Sequence, residues 1–92
     1  MTHAEEILSA VSTLVKHQAK NTFSRKDVRD EIGLSTEEWM AGYTSIFQGM
    51  RVDQPGGAPN VGAKFKGVFW QVQHGEHALT DYGERLVKEL EP

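Results

Sequence analysis

Residues 23 to 39, FSRKDVRDEIGLSTEEW, contain two helix-entry signals separated by a single glycine, and they leave this segment few ways to fold. Ser24 and Asp27, three positions apart, form a capping box: the Ser24 hydroxyl accepts from the Asp27 N–H and the carboxylate from the Ser24 N–H, with Phe23 and Val28 as the flanking hydrophobic staple. Ser35 and Glu38 repeat the device, with Leu34 placed to pack on Trp39. Gly33 lies between them, where the first helix needs a residue that tolerates the left-handed conformation. The segment is expected to be a helix, a tight turn and a second helix.

A chain of 92 residues fills one domain, spanning 1–92. At this size only about 60 to 65% of the unfolded surface is buried, so every apolar stripe must serve a single core. Two Trp and four Phe suffice for that core, and the absence of cysteine excludes disulfides and thiolate metal sites. A reducing, cytoplasmic setting is the simplest inference. No apolar run approaches the roughly 18 residues of a membrane span, and the N-terminus lacks the order of a signal peptide. A soluble protein with no membrane partner is expected.

The net charge of −3 argues against a strongly basic nucleic-acid binder, because phosphate neutralisation supplies most non-specific affinity. The distribution is uneven. Eight of the ten basic residues lie between positions 16 and 66, against six acids there, whereas the two ends hold two basic and seven acidic residues.

Thr2 and Glu5 form a third capping box, and Ala4, Ile7, Leu8, Val11, Leu14 and Val15 recur at the helical period. A first helix is expected from about His3 to Ala19, a second from about Arg25 to Ile32, and a third from about Thr36 to Gly49 or Met50. In the third, Trp39, Tyr43, Ile46, Phe47 and Met50 fall in one arc; Glu37, Ala41, Thr44, Ser45 and Gln48 fall in the opposite one. The outer arc suits either a solvated face or a face that approaches base edges in a major groove. Gly42 and Gly49 each cost about 1 kcal/mol in a helix interior, which marks either close packing or an early helix end.

From Arg51 to Gly67 the helical period is lost and Gly and Pro accumulate, so a loop of about 15 residues is expected, either functional or a structured turn around PGGAP. VFWQVQHGEHALT then reads as a hairpin turning at His74-Gly75. The pairing expected is Gln73 with Glu76, Val72 with His77, Gln71 with Ala78 and Trp70 with Leu79, placing Trp70, Val72 and Leu79 on the core face. Thr80 or Asp81 caps a fourth helix, with Asp81 and Glu84 as a capping box and Tyr82, Leu86, Val87 and Leu90 inside. A short extra strand near Thr22 would pair with the hairpin.

The spacing around Gly33 is that of a helix-turn-helix, although any small helical bundle shares it. Three helices, a hairpin and a closing helix, with the ending HALTDYGERLVKEL, resemble the wing-to-last-helix passage of bacterial winged-helix regulators. FSRKDV, the Gln48-Gly49-Met50 turn and the PGGAP loop also resemble small winged-helix modules fused to or encoded near restriction endonucleases. The resemblance implies an α+β, mostly α fold: a winged helix-turn-helix, with a three-helix bundle, a β-hairpin wing and a C-terminal helix. It further implies double-stranded DNA as partner, bound in transcriptional regulation or genome defence.

In that superfamily the third helix enters the major groove and the second crosses the backbone. Carried over, Ala41, Thr44, Ser45 and Gln48 face bases, Arg25, Lys26 and Arg29 contact phosphates, and Arg51, Lys64 and Lys66 contribute from the loop beside the wing. Glu37 and Glu38 depart from this pattern, since they repel DNA where phosphates should approach, and Glu76 puts an acid at the wing tip. Phosphate contacts by Arg25, Lys26, Arg29, Lys64 and Lys66 give a salt slope of about −4.5, an affinity loss of roughly 10² to 10³ between about 50 and 200 mM salt. Such affinity suits a homodimer, formed through the first and last helices, or a larger complex.

The acidic balance supports a second class of function, a protein-protein interaction module that keeps the winged fold without binding nucleic acid. His74 and His77 form an H-x-x-H on the hairpin, but alternation along strands separates them, so no metal is expected. No nucleophile with a base and no phosphate-binding glycine loop appears, so neither catalysis nor a cofactor is expected. Trp39, Tyr43 and Trp70 fit core packing better than a base-stacking platform.

Overall fold

A computed structural model describes residues 2–53 and 59–90. The architecture is α+β and mostly helical, with four helices and a two-stranded antiparallel hairpin. Helix α1 (His3–Lys16) opens on the expected box: the Glu5 N–H donates to the Thr2 hydroxyl at 3.2 Å, and the Thr2 N–H to the Glu5 carboxylate at 2.9 Å. It buries Ile7, Leu8, Val11 and Leu14 along one stripe. The helix ends at Lys16, short of the expected Ala19. Both His17 and Gln18 donate to the Thr13 carbonyl, and Ala19 turns to φ 54, which closes the rod.

Helix α2 (Arg25–Ile32) has the expected bounds, with the two hydrogen bonds of the Ser24–Asp27 box both at 3.0 Å. Gly33 takes φ 90, and its N–H and that of Leu34 both donate to the Arg29 carbonyl. The left-handed turn forecast at this glycine is present. The Ser35–Glu38 box opens the next rod with bonds of 2.9 and 3.1 Å.

That rod, α3 (residues 36–49), differs from the regular helix expected. It is α-helical over Thr36–Glu38, π-helical over Trp39–Tyr43 and α-helical again over Thr44–Gly49. The wide turn accompanies ties between Tyr43 and α1: the Tyr43 ring stacks on His3 at 4.0 Å, and its hydroxyl donates to Glu6 at 3.0 Å. Gly42 makes room for this, since a Cβ there would meet the His3 ring at 3.3 Å. A long-range contact with another helix, absent from the local period, accounts for the difference. Trp39, Phe47 and Met50 are nevertheless buried, as the inner arc requires.

Strands β1 (Phe69–Gln73) and β2 (Glu76–Leu79) turn at His74-Gly75, and Gly75 carries the positive φ of 80. Gln73 pairs with Glu76 as expected, but the register then shifts, so that Gln71 pairs with His77, Trp70 with Ala78 and Phe69 with Leu79. The register expected from the sequence is corrected by this bulge at Val72, and because strand side chains alternate, one extra residue reverses which set is buried. Phe69 and His77 are buried, while Trp70 and Val72 are 42% and 41% exposed.

Both edges of the hairpin receive a short backbone partner. Phe23 and His77 exchange hydrogen bonds of 2.9 and 2.8 Å, the form taken by the strand expected near Thr22. On the other edge Arg51 forms a parallel bridge with Phe69, flanked by Val52 N–H to the Phe69 carbonyl at 2.8 Å. Phe23, Phe47 and Phe69 thereby converge, with Phe23 and Phe69 edge to face at 5.6 Å and Phe47 and Phe69 at 4.6 Å. Each fully buried ring contributes about 1.5–3 kcal/mol.

Helix α4 (Asp81–Leu90) is capped by Thr80, whose hydroxyl accepts from the Gly83 N–H at 3.0 Å and donates to the Gly67 carbonyl at 2.7 Å. Thr80 therefore fills the role that Asp81 would have had. Leu86 and Val87 are buried as expected, but Tyr82 and Leu90 are exposed, a second correction. Helix α1 packs against α2, α3 and α4. Among the described residues no helix is long and apolar enough to cross a membrane.

Gly83 lies against the Val68 backbone so closely that a Cβ would overlap the Val68 carbonyl oxygen, whereas a Cβ at Gly33 meets nothing and only its positive φ resists. Gly83→Ala is expected to destabilise by about 1–3 kcal/mol through overpacking, and Gly33→Ala by about 1 kcal/mol. Thermal melts check this ranking, with roughly 4–8 °C lost per kcal/mol in a domain of this size.

Candidate functional site

The outer face of α3 exposes Ala41 and Ser45 to solvent and holds Thr44 and Gln48 half-buried. The nearby loop packs on a flank of the same helix. A Cβ at Gly49 would stand 2.6 Å from the Pro59 oxygen and 2.9 Å from Val61, so Gly49 marks a close approach. Ile46, Asn60, Val61 and Phe65 line an open groove with the start of α1. This placement leaves Ala41 and Ser45 uncovered by residues 59–67. Most of the PGGAP turn lies outside the described residues.

Arg51 organises the end of α3. Its Nη1 donates to Gln48 Oε1 at 2.7 Å, its Nη2 to Gln71 Oε1 at 2.7 Å, and its Nε and Nη2 grip the two Asp53 oxygens at 3.2 and 3.1 Å. The guanidinium holds the Asp53 carboxyl below its ordinary pKa, chiefly through these bonds. Because its side chain is only 13% exposed, Arg51 acts as a brace between helix and strand more than as a free cation. Helical period and charge counting both miss this arrangement, since Gln71 is 20 residues away; no local signal announces the pairing.

The remaining basic residues divide. Arg25 and Lys26 are exposed in the first turn of α2 and make no ion pair among the described residues. Arg29 is engaged: it donates to Asp30 at 3.1 and 3.2 Å and to the Thr36 hydroxyl at 2.9 Å, which ties α2 to the start of α3. Lys64 places its ammonium 5.7 Å from the Phe65 ring centre, and its carbonyl accepts from the Tyr82 hydroxyl at 2.6 Å. Lys66 is exposed on the same loop. The structure thus brings Gln48 and Arg51 together, and of the six candidate cations it leaves Arg25, Lys26, Lys64 and Lys66 without an ion pair among the described residues, although the Glu5 pKa, lowered chiefly by hydrogen bonds from Thr2, is lowered further by Lys64.

His74 is exposed at the turn while His77 is 2% exposed, so the H-x-x-H does not converge. The His77 ring stacks on Phe23 at 6.2 Å and meets the Phe47 ring edge to face at 4.9 Å. Both ring nitrogens are buried and have no hydrogen-bond partner among the described residues. Burial above all, then the charges of Arg51 and Arg25, push the His77 pKa below the ordinary histidine value.

The pH dependence follows from that direction. Above about pH 6.5 the histidine is neutral in both the native and unfolded chains. As the pH falls from there towards the lower native value, the unfolded chain takes up a proton that the native fold refuses, so stability drops, and it levels off below the native value. Denaturant titrations from pH 7.5 to 5 are expected to show this loss, and His77→Leu to flatten it; an unchanged slope in the variant would assign the effect elsewhere. No protein-family model, curated protein or solved structure matches the chain.

Proposed function

We propose that this chain is a DNA-binding winged-helix module that docks α3 in the major groove, in transcriptional regulation or genome defence. One observation carries the reading. Gly33 separates two capped helices, and the second of these presents Ala41, Thr44, Ser45 and Gln48 on an outer face that the described loop leaves open. The hairpin braced to the end of that helix by Arg51 takes the place of the wing. Side chains of this size and polarity reach base edges in a groove that admits a helix.

Electrostatics limits the affinity. Of the six candidate cations, Arg29 and Arg51 are held by Asp30 and Asp53, so four remain for phosphates, namely Arg25, Lys26, Lys64 and Lys66. Four phosphate contacts correspond to a salt slope of about −3.6, or roughly a hundredfold loss between about 50 and 200 mM salt. A module with so shallow a slope acts as a homodimer or within a larger assembly.

A second reading has its own support. Trp70 and Val72 expose apolar surface on β1, Met40 is 64% exposed on α3, and Glu37 and Glu38 are exposed at the start of the same helix. Such a surface suits a protein partner. NMR titration with duplex DNA at low salt separates the two. Shifts at Ala41, Thr44, Ser45 and Gln48 that weaken with salt at a slope near −3.6 are expected for DNA binding. A spectrum unmoved on α3 and the hairpin sinks that reading and leaves the protein-interaction module.

A further inference from the structure

We infer that the corner between α3 and β1 is a guanine-reading site made from the side-chain amides of Gln48 and Gln71, an inference that rests on the DNA-binding reading above and specifies its target. The starting point is donor chemistry. A guanidinium has donors and no acceptor, so a glutamine amide bonded to it must present its carbonyl oxygen. Both Gln48 and Gln71 do so, each at 2.7 Å, on the two terminal nitrogens of Arg51. Arg51 is in turn gripped by Asp53 through two bonds and has its backbone bridged to Phe69.

The orientation of both amides is therefore set before any ligand arrives. Each carries an amino group that makes no hydrogen bond among the described residues, one from the last turn of α3 and one from β1. Two donors from two elements flank one guanidinium. Among the major-groove edges, guanine offers paired acceptors at N7 and O6, adenine an acceptor and a donor, cytosine a donor, and thymine an acceptor beside a methyl group. A glutamine ordinarily reads adenine with both ends of its amide. Here the carbonyl end is engaged by a cation, so the two amino groups match the base that presents two acceptors.

The test is selection from a randomised duplex library at about 50 mM salt, followed by replacement of each enriched base. An enriched guanine is expected, with adenine or cytosine in its place weakening binding about fivefold or more, and 7-deazaguanine weakening it through loss of the N7 acceptor. Gln48→Glu keeps an acceptor facing Arg51, so its thermal melt stays near that of the parent, but it turns an acceptor outward where the amino group stood. Its base preference is expected to move from guanine towards cytosine, whose N4 group donates. Gln71→Glu makes the same exchange on the strand and is expected to weaken the guanine preference in the same direction. Duplex binding without guanine enrichment, or a guanine preference intact in both variants, overturns the inference and leaves DNA binding standing. Failure of the parent to bind any duplex overturns both.

Discussion

A two-stranded hairpin is marginal by itself in water, and everything outside the helical bundle depends on how this one is held. Among the described residues two single-residue bridges flank it, Phe23 against His77 and Arg51 against Phe69, and the Arg51 side chain adds a bond to Gln71. The bridges are short, but each sits over the packed rings of Phe23, Phe47 and Phe69, which come from the entry to α2, from α3 and from β1. Backbone bonds set the register and the aromatic packing supplies the energy, about 0.5–1.5 kcal/mol per ring pair beyond area burial. Removing either contribution would leave the hairpin without a reason to stay at the end of α3.

The same node explains what was legible in the sequence and what was not. Capping boxes at Thr2, Ser24 and Ser35 and the left-handed turn at Gly33 are local devices that act within four residues, and all four are present. The bounds of α2 and the inner arc of α3 follow from the same short range. The bulge at Val72 and the π turn at Trp39–Tyr43 answer to distant partners, Phe23 across the sheet edge in one case and His3 and Glu6 in the other. Alternation in FWQVQ reads equally well in either register until something decides which of Phe69 and Trp70 meets the core. The outer-face residues Ala41 and Ser45 were legible because exposure on a helix is periodic; the Arg51 brace was not, because charge pattern alone does not show which cation an acid will hold.

His77 shows the cost of this arrangement. An imidazole whose two nitrogens lack partners among the described residues is an expensive core residue, since an unsatisfied buried polar group costs about 1–3 kcal/mol. Its backbone supplies half of the Phe23 bridge, and its ring completes the stack on Phe23 and the edge contact with Phe47. Because Arg51 and Arg25 raise the local positive potential, protonation is opposed by charge as well as by burial. The hairpin is thus anchored through a group that supports the fold while neutral and costs it stability in acid.

Rigidity at the helix–hairpin junction has a consequence for any ligand met by both elements. In a helix and hairpin joined only by a flexible connection, ordering the two together would oppose binding by roughly 0.5–1.5 kcal/mol per immobilised side chain. Here Arg51 already fixes Gln48 on α3 and Gln71 on β1, and Asp53 fixes Arg51. On the DNA-binding reading proposed above, the brace would withdraw a cation from phosphate contact and in exchange order two side chains before encounter. On the same reading that balance would favour selectivity over strength, in keeping with the net charge of −3.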